Sequence, residues 1–174
     1  MSEPVCVCYR GALDTQGMEA EAEEQHLRAC PSWLGNFDFR MYGLDPETAK
    51  ARSLSMLPPL LAARAAGMAT LLPDQRLNVA FLQRYETRHQ VYSHRDPRNN
   101  TGYTLIGLFG TWEGATTLYG PGLRQVGAPM DGLRGIAGDV MRLPCTINGV
   151  QGPWHAVTPV TSGVRWALIL NTIE

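Results

Sequence analysis

No two of the four cysteines (Cys6, Cys8, Cys30 and Cys145) stand in a Cys-x-x-Cys arrangement, so the signature of a thiolate zinc site is missing and the thiols are expected to be free and buried. No apolar run approaches the roughly twenty residues of a membrane-spanning helix, and no basic stretch followed by an apolar core and a cleavage site opens the chain. These absences predict a soluble, intracellular protein in a reducing setting, with no membrane partner. Charge is scarce as well: 18% of the 174 residues are charged and the net charge is −1, below the usual quarter. That argues against broad electrostatic binding of nucleic acid, which depends on clustered Lys and Arg. One local basic patch, Arg84, Arg88, Arg95 and Arg98, falls in a short segment. Internal repeats and low-complexity segments are lacking too.

What is present is enough apolar content, 44%, for one packed core at this length and too little for two. Residues 1–174 are therefore read as a single domain, with 1–73 as helical and strand support and 74–174 as the core. Residues 5–9 read as a short strand, 18–30 as a helix rich in Glu and Ala, and 36–42 as another strand. Asp45-Pro46 opens a helix that Pro58 and Pro59 interrupt, and 60–66 forms a further turn of helix. After Pro73 the pattern changes to short strands between Gly, Pro and Asn turns: 78–85, 91–93, 103–109, 116–119, 132–136, 139–143, 154–160 and 164–171. Eight such strands predict an α+β, mainly β fold: a jelly roll, or double-stranded β-helix, with flanking N-terminal helices and a site at one open end. The Gly- and Pro-rich loop 120–131 is expected to be the mobile element over that site.

Two segments carry chemistry. Ser93-His94-Arg95-Asp96 places His94 and Asp96 at i and i+2, on one face of a strand, with Arg95 pointing away. About sixty residues later comes Trp154-His155-Ala156-Val157-Thr158-Pro159-Val160-Thr161-Ser162-Gly163-Val164-Arg165-Trp166. Read as a hairpin turning at 159–163, this stretch sets His155 nearly opposite Arg165. Two histidines and a carboxylate, with open coordination positions, suit non-haem Fe(II). A guanidinium on the apolar strand 166–170 needs an anion, and its planar fork suits the far carboxylate of a dicarboxylate such as 2-oxoglutarate. His26 and His89 are expected at the surface.

The combination of H-x-D with H-x-V-x-P-V-x-x-G-x-R-W-x-L resembles the Fe(II)- and 2-oxoglutarate-dependent dioxygenases, over roughly the C-terminal half. The resemblance implies His94, Asp96 and His155 as iron ligands and catalytic centre, Arg165 as the 2-oxoglutarate binder, and Fe(II), 2-oxoglutarate and O2 as cofactor and co-substrates. Tyr85, nine residues before His94, is the basis of a second likeness, to the AlkB-type demethylases, and is placed at the co-substrate. The run from His94 to Gly110 looks like the TET/JBP branch, whose members oxidise the 5-methyl group of cytosine or thymine in nucleic acid after extruding the base. This implies 5-methylcytosine or thymine in DNA as substrate, with Asn99, Arg95, Arg98 and Trp112 as substrate-binding residues and Trp154 at the mouth. Branch members tend to carry an aromatic and a histidine where this chain has Asn171 and Ile173. A small molecule or a protein side chain is accordingly the alternative substrate, and a non-catalytic jelly-roll binding module the alternative class.

Overall fold

The run Trp166-Ala167-Leu168-Ile169-Leu170 shows no polar alternation, the pattern of a strand covered on both faces, and it lies inside the larger of two sheets. The structure, a computed structural model, describes residues 6–25, 28–29, 40–42, 52–54 and 57–174, with 28–29, 40–42 and 52–53 described as backbone. Strand β1 (Val7–Tyr9) and helix α1 (Met18–Glu23) precede β2 (Arg28–Ala29), β3 (Arg40–Tyr42), β4 (Arg52–Ser53) and helix α2 (Pro59–Ala69). Then come β5 (Val79–Tyr85), β6 (Val91–His94), β7 (Asn100–Gly114), β8 (Thr117–Tyr119), β9 (Asp131–Leu133), β10 (Val140–Pro144), β11 (His155–Val157) and β12 (Val160–Ile173).

The larger sheet has the order β1-β10-β7-β12-β5-β3-β2, with β4 also on β5, and the smaller has the order β6-β11-β8-β9. From β5 onward the chain winds back and forth between them, which is the predicted jelly roll. Side chains of β12 alternate between two cores. Trp166, Leu168 and Leu170 pack with Met18 and Ala22 of α1 and Leu61, Ala65 and Met68 of α2. Ala167 packs with Tyr85, Val91, Leu108 and Met141 in the space between the sheets. The helices therefore back the larger sheet and leave its other face for the site. Helix α2 starts at Pro59, whose missing N–H costs nothing at that position. The next two N–H groups, of Leu60 and Leu61, donate to Glu21 Oε1 and Oε2 at 3.1 and 2.6 Å. A carboxylate from α1 thus satisfies donors that a helix start leaves open, and its charge suits that end of the helix.

Several boundaries differ from the sequence reading. Helix α1 stops at Glu23, and Arg28–Ala29 pairs with β3 as a strand instead of continuing the helix. His26, Cys30, residues 36–39 and the start of the helix proposed after Asp45 lie outside the described residues; before Pro58, where that helix was expected to run, Arg52–Ser53 is instead a strand on β5. The strand expected at 132–136 is shorter and shifted, as Asp131–Leu133. The largest correction concerns the 154–170 hairpin. Strand β11 pairs with β6 and β8 of the smaller sheet, whereas β12 pairs with β5 and β7 of the larger. The two-residue link Thr158-Pro159 crosses between sheets, and the Val160 N–H donates to the carbonyl of His89, so no ladder forms between β11 and β12. His89 itself is buried, not at the surface, with its Nδ1 accepting from the Glu86 N–H at 2.7 Å. No helix among the described residues is long and apolar enough to cross a membrane.

Asp139 ties the turn after β1 to the start of β10. Its carboxylate is buried and accepts from the N–H of Gly11 at 3.1 Å, the N–H of Ile136 at 2.9 Å and the Arg10 guanidinium. Burial alone would raise this carboxyl, but the Ile136 and Gly11 N–H groups and Arg10 together hold it below the usual carboxylate range. Its stabilising contribution is therefore complete above the unfolded value of about 3.9 and is lost as pH falls through the lower folded value. Asp139→Asn, which turns an N–H toward converging donors, is expected to cost about 1–3 kcal/mol near neutral pH. Urea unfolding should show that difference shrink in acid, and an undiminished difference would exclude the carboxylate charge as its cause.

Candidate metal and co-substrate site

His94 and His155 are register partners across β6 and β11, and directly opposed residues of an antiparallel pair project from the same face. Their rings lie 4.3 Å apart between centroids. The direction of that face depends on an irregularity. Val91 pairs with Val157 and His94 with His155, so three steps along β6 match two along β11. Such a bulge re-aims the side chains beyond it, and here it turns His94 to the same side as Val91, into the space between the sheets. In a regular strand, residues 91 and 94 would face opposite ways.

Asp96 completes the cluster from the loop after β6. Its Oδ1 lies 3.9 Å from His94 Nε2 and 3.6 Å from His155 Nε2, and one ligand atom from each of the three residues falls within 4.8 Å of the others. The other nitrogen of each ring is engaged: His94 Nδ1 is 2.8 Å from the Tyr92 carbonyl, and His155 Nδ1 is 3.1 Å from that of Pro153. A carbonyl only accepts, so each Nδ1 carries the proton and each Nε2 presents its lone pair toward Asp96. Burial, reinforced by the neighbouring His155, lowers the pKa of His94, which favours the neutral imidazole that binds metal. The donor set and its tautomers fit a divalent metal with open positions. The sequence placed the same three residues together but put His94 and Asp96 on one strand; the strand ends at His94.

Arg165 faces the same inter-sheet space from the larger sheet, between Tyr85 on β5 and Gly110 on β7. It is 2% exposed, its guanidinium carbon sits 5.0 Å from the Tyr85 ring centroid, and its Nε has no hydrogen-bond partner. Burial depresses its pKa, against the influence of Tyr85. No carboxylate among the described residues pairs with it. A buried guanidinium left so exacts a cost of several kcal/mol, which an anion such as the far carboxylate of 2-oxoglutarate would offset. Tyr85, expected at the co-substrate, lies beside Arg165 with its hydroxyl on Gln83 Oε1.

The expected substrate residues are more dispersed. Arg95 lies over the Trp154 ring at 5.2 Å, while Arg124 from the 120–131 loop covers the same ring at 4.2 Å. Asn99 is exposed in a turn in which the Asn100 N–H donates to the Pro97 carbonyl, and the Asn99 carbonyl accepts from Glu174. Arg98 is exposed. Trp112 packs partly on the inter-sheet core and borders a surface pocket of about 190 Å³ formed with Gly110, Thr111 and residues 134–137, which includes none of the three ligands. The residues around Asp96 escaped the sequence reading. Cys145 is free and buried, as predicted, but its thiol donates to Asp96 Oδ2 at 3.1 Å. Gln151 Nε2 donates to the Asp96 carbonyl at 2.6 Å. Neither residue type carries a motif that would have announced this.

No protein-family model matches the chain, and no curated protein matches its sequence. Solved structures do share its fold. A prolyl-4-hydroxylase from Pseudomonas putida is 13% identical with a TM-score of 0.62, covering 97% of this chain and 92% of that one. HygX from Streptomyces hygroscopicus, with nickel and 2-oxoglutarate bound, is 14% identical with a TM-score of 0.64, covering 95% and 81%. A prolyl hydroxylase from Trichoplax adhaerens, in complex with a peptide fragment of the hypoxia inducible factor oxygen degradation domain, is 8% identical with a TM-score of 0.66, covering 97% and 84%. At such identities the likeness establishes the jelly-roll fold.

Two outcomes follow from the geometry. His155→Ala and Asp96→Ala should each abolish stoichiometric Co(II) binding in calorimetric titration. Arg165→Met, which removes a buried charge lacking a carboxylate partner, should leave the apo protein as stable as wild type or more so. The same variant should lose stabilisation by 2-oxoglutarate, which at a hundredfold excess over Kd contributes about 2.7 kcal/mol in wild type. A less stable apo variant that still responds to 2-oxoglutarate would refute the assignment.

Proposed function

We propose that the chain is an Fe(II)- and 2-oxoglutarate-dependent oxygenase that hydroxylates a C–H bond of a protein side chain or a small molecule. One observation carries the reading: a two-histidine, one-carboxylate cluster and a buried arginine with no carboxylate partner face one enclosed space from opposite sheets. Fe(II) held by His94, Asp96 and His155, together with 2-oxoglutarate and O2, supplies the coupled oxidation, in which RH, 2-oxoglutarate and O2 give ROH, succinate and CO2. The protein's own part is positional. The Tyr92 and Pro153 carbonyls hold the two rings in the metal-binding tautomer. Arg165 offers a forked, permanently charged partner to the distal carboxylate, and Tyr85 supports its guanidinium. Phe81, Ile106 and Ile169, partly buried against the inter-sheet core, supply an apolar lining that limits water.

The substrate class is favoured by two facts. Proteins sharing the fold include prolyl hydroxylases, one of them in complex with a peptide. The positions a flipped base would need are otherwise engaged, Asn99 in a turn and Asn171 with Thr104. A second reading, oxidation of a pyrimidine 5-methyl group in DNA, is favoured by the exposed Arg95 and Arg98, which have no carboxylate partner among the described residues. The test is succinate formation by iron-loaded protein with 2-oxoglutarate and O2, alone, with proline-containing peptides, with a small-molecule panel, and with 5-methylcytosine DNA. Stimulated succinate with a one-oxygen mass gain on a peptide or small molecule is the expected result. Stimulation by DNA with an oxidised base would establish the second reading. Protein that binds 2-oxoglutarate yet forms no succinate under any condition would overturn both and leave a binding module.

A further inference from the structure

The two histidines are positioned by a strand ladder, but Asp96 is not, since β6 ends two residues before it. What holds its side chain is a buried row of polar groups on the inner face of the larger sheet. Cys145 Sγ lies 3.1 Å from Asp96 Oδ2, Thr104 Oγ1 lies 2.8 Å from Cys145 Sγ, and Asn171 lies 2.7 Å beyond Thr104 Oγ1. All three supporting residues are buried, Cys145 at 1%, Thr104 at 4% and Asn171 at 7% exposure. They come from just beyond β10, from β7 and from β12, which are neighbours in the sheet.

The backbone is arranged to bring them together. Between Leu170 and Thr172 the register of β12 against β7 shifts, and Gly102, with φ of 72°, lies in that irregularity. A side chain at Gly102 would be strained there, and its Cβ would meet Gln75 Oε1 at 2.5 Å. Gln75 occupies that space to exchange hydrogen bonds with the Tyr103 backbone, both at 2.8 Å. The Gly102 carbonyl accepts from the Cys145 N–H at 2.8 Å, and so fixes the cysteine against the irregularity.

Hydrogen counting fixes the end of the row at the carboxylate. A thiol and a hydroxyl each have one proton to donate. A carboxylate only accepts, so the thiol proton goes to Asp96 Oδ2, while the Thr104 hydroxyl donates to Asn171 Oδ1 and holds its oxygen 2.8 Å from the sulfur. The thiol thus engages Oδ2 alone, and Oδ1, the oxygen nearest both histidine Nε2 atoms, stays free of this row. A neutral donor suits this place. A lysine or arginine would compete with the metal for the carboxylate charge, whereas a thiol orients it and leaves the charge available.

We propose that Cys145, backed by Thr104 and Asn171, is the positioning residue for the metal carboxylate, fixing which oxygen of Asp96 faces the ion. The proposal rests on the metal-site reading above and deepens it. It is tested by titrating apo wild type, Cys145→Ala, Cys145→Ser and Thr104→Val with Co(II), following heat and visible absorption, with no co-substrate and no turnover. Cys145→Ala should bind Co(II) roughly 10–100-fold more weakly, as loss of a ligand's orienting partner does, with an altered visible spectrum. Cys145→Ser, which keeps a donor, should restore affinity and spectrum, and Thr104→Val should weaken binding though it touches no ligand. Wild-type affinity in Cys145→Ala would overturn the proposal. So would Cys145→Ser binding as weakly as Cys145→Ala while Thr104→Val binds normally. If Cys145→Ala does not fold, the serine and Thr104→Val pair decides by the same readings. Failure of wild type to bind Co(II) at all would instead overturn the oxygenase reading, so the two failures are distinguishable.

Discussion

Strand β12 is held between β5 and β7 and covered on both faces, and the site depends on that placement. Its outer residues, Trp166, Leu168 and Leu170, are locked against α1 and α2, with Trp166 stacked on Phe109 at 5.8 Å and covered by Arg84. Interiors packed to crystal-like density do not let a strand rotate or slip by one residue without moving every side chain to the wrong face. The opposite face, bearing Arg165 and Asn171, is therefore fixed by contacts that have nothing to do with the site. A guanidinium carried there cannot turn to solvent, and its unmet charge is imposed by the fold.

The smaller sheet solves a different problem with less material. Its strands are three or four residues long, too short to owe much stability to their own ladder. They nonetheless place two imidazoles because the β6 bulge and the carbonyls of Tyr92 and Pro153 set ring direction and tautomer locally. The two imidazoles are thus positioned by short-range geometry in one sheet, and Arg165 by long-range packing in the other. Asp96, belonging to neither ladder, is where the two meet. It takes its backbone anchor from Gln151 and its side-chain orientation from Cys145 at the end of a larger-sheet strand.

This division explains what could be read from the sequence. The strands of the jelly roll were legible because strand patterns and turn residues are local, and His94, Asp96, His155 and Arg165 because their residue types and spacing are unusual together. The hairpin joining His155 to Arg165 was misread for a physical reason. Two strands separated by a Pro-containing turn look alike whether the chain folds back on itself or crosses to another sheet, and only the long-range partners of Val160 decide. The face of His94 was right although the reason was not, since a bulge leaves no mark in a pattern of alternation. Cys145, Thr104 and Asn171 were invisible as a group because they lie 41 and 67 residues apart along the chain and each is unremarkable alone.

Placing the two histidines and Arg165 on facing sheets also restricts what can bridge them. Packed sheets stand about 10 Å apart, and side chains from both occupy part of that gap. Under the proposed function, an extended molecule with a chelating group at one end and a carboxylate at the other would span from the imidazoles to Arg165. Partners on the same strand pair, as the hairpin reading had them, would have been adjacent side chains, able to hold a small anion against the metal but not a dicarboxylate across it. The crossing at Thr158-Pro159 sends His155 and Arg165 to opposite walls, the separation on which the proposed binding of a keto-dicarboxylate rests.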